Sequence, residues 1–267
     1  MLIHVGYDLR FRVPAPTPML LLLHTIPGKY FMPKPEQLAI EPATPFELFY
    51  DAFGNRCTRL VAQTGTLRIT NDAVVRVDGQ LDPVNWGAPQ HQIQQLPYDV
   101  LPFIMPSRYC EVDKLTEFAW QQFGNGPTGY LRAQAVCTFV HDHIKFGYEF
   151  ARNTKSAFDV FGERQGVCRD FAHLAIALCR CLGIPARYAT GYLGDIGVPY
   201  SPAPMDFSAW FEVYLGGMWY TLDARHNATR IGRIVMAYGH DASDAALTTS
   251  FGPTVLEQFQ VTCEEAG

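Results

Sequence analysis

One cysteine stands where a thiol can become a nucleophile. Cys168 lies in Gly166-Val167-Cys168-Arg169-Asp170-Phe171. The apolar stripe Phe171, Ala175, Leu178 and Leu182, closed by Gly183 and Pro185, predicts a helix that begins near the cysteine. Unpaired N–H groups and the helix dipole at that end favour an anion, so a lowered thiol pKa is expected. Gly166 permits a tight entry, Arg169 adds positive charge, and Asp170 sits where a carboxylate can cap the first turn. Downstream, Asp206-Phe207-Ser208-Ala209-Trp210-Phe211-Glu212-Val213-Tyr214 and Trp219-Tyr220-Thr221-Leu222-Asp223 flank Gly216-Gly217. That pattern predicts a hairpin bringing a carboxylate toward the thiol.

The elements that must hold these groups fall into two textures. Residues 1–105 read as an N-terminal β-sandwich. Ile3, Val5, Tyr7, Leu9 and Phe11 alternate on one strand, and further short strands are predicted over 19–26, 46–52, 57–63, 66–70 and 73–77. Asn71-Asp72 reads as a turn between the last two. A stretch rich in proline and glutamine, residues 80–107, marks the boundary. Residues 106–267 read as helices first (113–123, 130–145 and the Cys168 helix), then an antiparallel sheet from 186–193, 207–215, 219–223, 233–238 and 256–263. This is an α+β order.

Gly166 to His173, then Leu182-Gly183-Ile184-Pro185-Ala186-Arg187-Tyr188 and Gly191-Tyr192, resemble the transglutaminase-like superfamily, specifically its bacterial cysteine-protease group. The likeness runs from about Cys110 to Asp223, and residues 1–105 look like that group's N-terminal β-domain. It implies a papain-like core with a Cys-His-Asp triad, in which thiolate attacks an amide carbonyl, histidine shuttles protons and aspartate orients the histidine. Carried over by position, Cys168 is the nucleophile and Asp223 the orienting carboxylate. Where the family has His-Ala-Trp, this chain has Ser208-Ala209-Trp210, and a serine hydroxyl is no base near neutral pH.

Other residues could fill the gap. His226, three residues past Asp223, either folds back toward Cys168 or is a solvated loop histidine. His173 lies about 140° around the helix from Cys168 and reads as a half-buried packing residue. Gln165 could help the Cys168 N–H form an oxyanion hole, or be a loop residue. Trp210 shares a strand face with Ser208 and is expected to line or floor the cleft, with Glu212 pairing Arg187 or Arg225. Asp206 could lie at the rim, which the sequence alone does not establish. His141 and His143 point apart on a helix, which favours a solvated face over a metal pair.

The chain has 267 residues and a net charge of −5. It lacks the basic footprint of a nucleic-acid binder. Met19–Leu23 is too short to cross a membrane. Seven cysteines without a CxxC pair suggest a reducing, cytoplasmic setting with mostly buried thiols. The expectation is acyl chemistry on a peptide or protein amide through Cys168, hydrolytic rather than transamidating, with His226 as base and no cofactor or metal. The competing class is a non-catalytic peptide-binding module, since Ser208 occupies the triad histidine position. Substrate identity and oligomeric state stay open.

Overall fold

The computed structural model describes residues 1–202 and 204–267. Its strands open with β1 (Leu2–Val13), β2 (Thr17–Leu21), β3 (Phe31–Lys34), β4 (Ala39–Glu41), β5 (Phe46–Tyr50), β6 (Arg56–Ala62) and β7 (Gly65–Arg76). Helices α1 (Val112–Phe123) and α2 (Tyr130–His143) follow, then β8 (Lys145–Phe146), α3 (Ala157–Glu163), β9 (Gln165–Gly166) and α4 (Cys168–Cys181). The chain continues through β10 (Ala186–Tyr192), β11 (Ser208–Leu215), β12 (Met218–Leu222), β13 (Ile234–Gly239), β14 (Thr248–Ser250) and β15 (Val255–Glu265). Among the described residues no helix is long and apolar enough to cross a membrane.

Two sheets pack as the sandwich, in the orders β15-β1-β7-β3, with β4 also on β7, and β14-β2-β6-β5. Their facing residues share one core: Ile3, Val5, Leu9 and Ile69 from the first, Met19, Leu21 and Leu60 from the second. The predicted break at Asn71-Asp72 does not occur. β7 runs through, because Asn71 and Asp72 are held in register opposite Tyr7 and Gly6 of β1. Ladder pairing overrides the local turn preference. Gly6 permits the close fit, since a Cβ there would meet the Asn71 carbonyl oxygen at 2.8 Å.

The third sheet has the order β12-β11-β10-β13, and α4 packs against β10 and β11. Gly216 and Gly217, with φ of 57° and 86°, make the tight turn between β11 and β12. The segment 256–263, expected to complete this sheet, instead lies in β15 and pairs with β1 of the sandwich. Burial explains the choice: Val261 and Cys263 alternate inward onto the sandwich core. β14 likewise pairs with β2. The sandwich expected within residues 1–105 is therefore completed from the far end of the chain. Between the halves, the proline-rich stretch forms the single turns Ile93–Gln95 and Leu101–Ile104 and one isolated bridge, Leu81 to Ile231.

Helix α4 is the buried axis of the second core, and every residue from Asp170 to Cys181 is buried. Arg180 would be costly there unpaired. Its guanidinium donates to the carbonyls of Ala186 (2.8 Å), His240 (2.7 Å) and Met105 (3.1 Å) and to Ser107 Oγ (3.0 Å). These bonds tie the end of α4 to the sheet and to the linker.

Candidate active site

Cys168 opens α4, and six of the seven cysteines are buried while Cys168 alone is partly exposed. Its position is fixed by the preceding turn. Asp170 Oδ2 accepts the Val167 N–H at 2.9 Å, so the carboxylate caps the helix as its spacing suggests. A Cβ at Gly166 would come within 2.7 Å of that oxygen, which explains a glycine here. Lys155, itself buried, donates to the Phe150 and Gln165 carbonyls, each at 3.0 Å. Gln165 thus serves through its backbone in β9, and it is not among the residues lining the cleft described below.

The backbone N–H of Ala209, which follows Ser208 at the start of β11, is near enough to Cys168 to favour its thiolate. The expected lowered thiol pKa is not found. Burial pushes the thiol up to about 11. The Arg225 guanidinium pulls against this and the Asp206 carboxylate adds to it. Desolvation outweighs the N–H groups of the helix start.

Asp223 follows β12 and is buried. Its Oδ2 accepts from His226 Nδ1 at 2.8 Å and from Arg233 Nη2 at 2.9 Å. Its Oδ1 accepts the backbone N–H groups of Arg225 (3.0 Å) and His226 (3.1 Å). The turn closes with Asn227 N–H on the Asp223 carbonyl at 2.7 Å, and Asn227 adopts φ 48°. Burial alone would raise the Asp223 carboxyl. Arg233 and the His226 ring overcome it and hold the group well below the usual carboxylate range. With Nδ1 donating to Asp223, Nε2 of a neutral His226 is the nitrogen left to accept a proton. His226 is therefore a tethered histidine, not a solvated loop residue.

The expected solvated face of α2 is also corrected. His141 Nδ1 donates to the carbonyls of Ala224 (3.2 Å) and Arg225 (3.0 Å), buttressing the Asp223–Asn227 turn. His143 Nε2 donates to the Phe161 carbonyl at 2.8 Å. His173 is fully buried rather than half-buried. It stacks on Tyr109, and its Nε2 accepts the Ala242 N–H at 3.1 Å. Burial holds its ring well below the ordinary imidazole value.

A cleft of about 880 Å3 is lined by His226, Ser208, Asp206 and Arg225 together with residues of β15. Trp210 does not line it. The side chain is fully buried, packs with Ala189, Val235 and Tyr238, and lies under the Arg233 guanidinium at 5.0 Å. Alternation pairs it with Ser208, but two residues further along β11 the Arg233 guanidinium covers the strand. Glu212 pairs with Arg187, accepting Nε at 2.8 Å.

Sequence reasoning missed Arg233 and its second carboxylate. Arg233 Nε donates to Asp82 Oδ2 at 2.9 Å, so a linker residue helps hold the arginine that holds Asp223. No local pattern signals a contact between residues so far apart in the chain. Phe146 and Tyr148, which flank Arg225 at the cleft, were missed for the same reason.

This papain-like arrangement, with a helix-start thiol against a strand and a carboxylate on the next strand, agrees with the comparisons. A profile described as transglutaminase-like superfamily matches residues 116–224. That range includes Cys168, Ser208 and Asp223 and stops short of His226. The 1.9 Å crystal structure named "a Putative Cysteine Protease from Cytophaga hutchinsonii" is similar over 98% of this chain and 90% of that one, with 33% identity and a TM-score of 0.84. The chain belongs to the transglutaminase-like superfamily. An uncharacterized protein of Mycobacterium leprae (strain TN) is 25% identical over 186 residues, 67% of this chain, and the match spans 66% of that relative's length.

Proposed function

We propose that the protein is a thiol-dependent acyl-transfer enzyme acting on peptide or protein amides, with water as the ordinary acceptor. The observation that carries this reading is the 2.8 Å contact between His226 Nδ1 and Asp223 Oδ2, with His226 lining the same cleft as Ser208. A carboxylate on Nδ1 fixes the tautomer and stabilises the imidazolium formed when Nε2 takes a proton. In this reading Cys168 Sγ attacks the amide carbonyl carbon as its proton passes to His226 Nε2. The tetrahedral intermediate collapses, the C–N bond breaks, and His226 returns the proton to the leaving amine. Water, deprotonated by the same nitrogen, then cleaves the thioester and releases the acid. The triad histidine would have moved from the family's position at Ser208 to the turn after Asp223.

A specific observation favours a second reading. Ser208 stands where the family has its histidine, and the Cys168 thiol is pushed up rather than down. A peptide-binding module without turnover would look like this at those two positions. Labelling by a peptide aldehyde or chloromethyl ketone, followed by mass spectrometry, separates the two. The acyl-transfer reading expects modification at Cys168 and a loss of about 10²-fold in rate in His226→Ala, the usual worth of a positioned base. Equal rates in both proteins would establish that His226 is not the base and leave the module.

A further inference from the structure

Asp82 lies in the proline-rich stretch, yet its place is fixed by residues that follow Asp223. Its N–H donates to the Arg230 carbonyl at 3.0 Å, and its neighbour Leu81 bridges Ile231. Its Oδ2 accepts the Arg230 N–H and Arg233 Nε, each at 2.9 Å. Arg233 then donates Nη2 to Asp223 Oδ2 at 2.9 Å, and the same oxygen accepts His226 Nδ1 at 2.8 Å. Asp82, Arg233, Asp223 and His226 therefore form one chain of contacts. The first three side chains are 10%, 5% and 2% exposed, so little water screens their charges.

The charges along this chain give Asp82 a role. Arg233 and Asp223 alone are a neutral pair, which offers no net charge to an imidazolium forming on His226. Asp82 adds one carboxylate, and the chain then carries one net negative charge toward the ring. Arg230 and Asp195 leave that remainder unchanged, since they add one charge of each sign, and Arg230 Nη2 is engaged by the Gly194 carbonyl at 2.8 Å. On α2, Cys137 near Asp223 is pushed up by burial and stays a neutral thiol, while His141 bonds the Ala224 and Arg225 carbonyls. On the cleft side, Arg225, Asp206 and Tyr148 share the lining with His226.

We propose that Asp82 is a positioning residue of the active site, acting through Arg233. It takes up the guanidinium's charge, so that Asp223 keeps its own for the His226 ring. An uncompensated Arg233 would draw the shared Asp223 oxygen to itself, and His226 would lose the charge that favours its uptake of a proton. The proposal rests on the acyl-transfer reading for what His226 does with that proton. The charge balance itself is a property of the resting protein and is read without turnover.

Three variants of the full chain separate this role from simple bracing. Asp82→Asn keeps the shape and an oxygen for the Arg230 N–H. Arg233→Gln removes the cation, and the double variant removes one charge of each sign. NMR of protein carrying isotope-labelled histidines, at about pH 6.5, gives the ratio of imidazolium to neutral ring for His226. The signal is assigned from its loss in His226→Ala, and Arg225, Asp206 and Tyr148 are the same in every protein compared. The ratio should fall about tenfold in Asp82→Asn, rise in Arg233→Gln and return toward the original in the double variant. Bracing alone predicts no such opposition of sign and no recovery. An unchanged ratio in Asp82→Asn, or shifts of the same sign in the two single variants, overturns the proposal. Should Asp82→Asn not fold, Arg233→Gln against the double variant decides: equal ratios overturn the proposal. Cys168 labelling by the peptide chloromethyl ketone checks the acyl-transfer reading separately. Ring ratios that shift as expected, with equal labelling in all variants, sink His226 as the base and leave the charge balance.

Discussion

A thiol pushed up to about 11 must lose its proton during attack rather than before it. That distinguishes Cys168 from a nucleophile held as a resting thiolate beside an imidazolium. The consequence is a pH profile. In the free protein the thiolate fraction rises about tenfold per pH unit until the pKa is reached, so alkylation by a small neutral reagent should still be climbing at pH 10. An ordinary cysteine levels off near its pKa of about 8.5. Iodoacetamide rates at Cys168 from pH 6 to 11, read by mass spectrometry, test this, and a plateau below pH 8 would show a thiolate already stabilised. Asp223 carries the opposite linkage. Its folded value is depressed, so the stability it contributes is present above the unfolded carboxylate range and is lost as pH falls through the folded value. Cys168, Asp170 and Asp223 were legible in the sequence because their roles are local: a helix start, its cap, and the end of a hairpin strand. His226 was legible only as an alternative, since a five-residue turn can aim a side chain either way. Its direction came from Asn227 in the left-handed region and from His141 bracing the turn.

At the scale of elements, the nucleophile depends on how the chain enters α4. At Gly166 the Asp170 carboxylate that caps Val167 occupies the space a Cβ would take. Gly166→Ala places a methyl at 2.7 Å from that carboxylate, and one of the two must move. The expected result is loss of the cap, about 1 kcal/mol of stability. A displaced first turn also takes Cys168 away from the Ala209 N–H. Thermal midpoint and Cys168 labelling rate should therefore fall together. If the midpoint falls while the labelling rate holds, the cap is structural only. The hairpin of β11 and β12 was legible, down to the Gly216-Gly217 turn, because strand alternation and turn chemistry agree there. Trp210 shows the limit of that logic. Its face followed from period two, but what covers the face did not. Arg233 covers it, tied on either side to Asp82 and Asp223.

At the scale of the molecule, sequence texture suggested two consecutive units, and the strand pairing joins them instead. β15 lies on β1 and β14 on β2, so the sandwich cannot be completed without residues that follow the whole second half. The shared core makes the same point, because Tyr192, Phe207, Ile234 and Met236 from the second half pack among the sandwich residues Val5, Leu9 and Ile69. Such pairings were invisible in the sequence, since β15 reads equally well as the last strand of either sheet. Residues so interlocked should unfold as one unit. The four tryptophans, Trp86, Trp120, Trp210 and Trp219, all lie outside the sandwich strands, so their fluorescence follows the second half. Cys263 is buried in the sandwich core, and pulse alkylation of its thiol follows the other half. Urea titrations read by both probes should give coincident midpoints. A Cys263 transition at distinctly lower urea would mean that the sandwich melts alone, and that β14 and β15 dock onto it without coupling the halves.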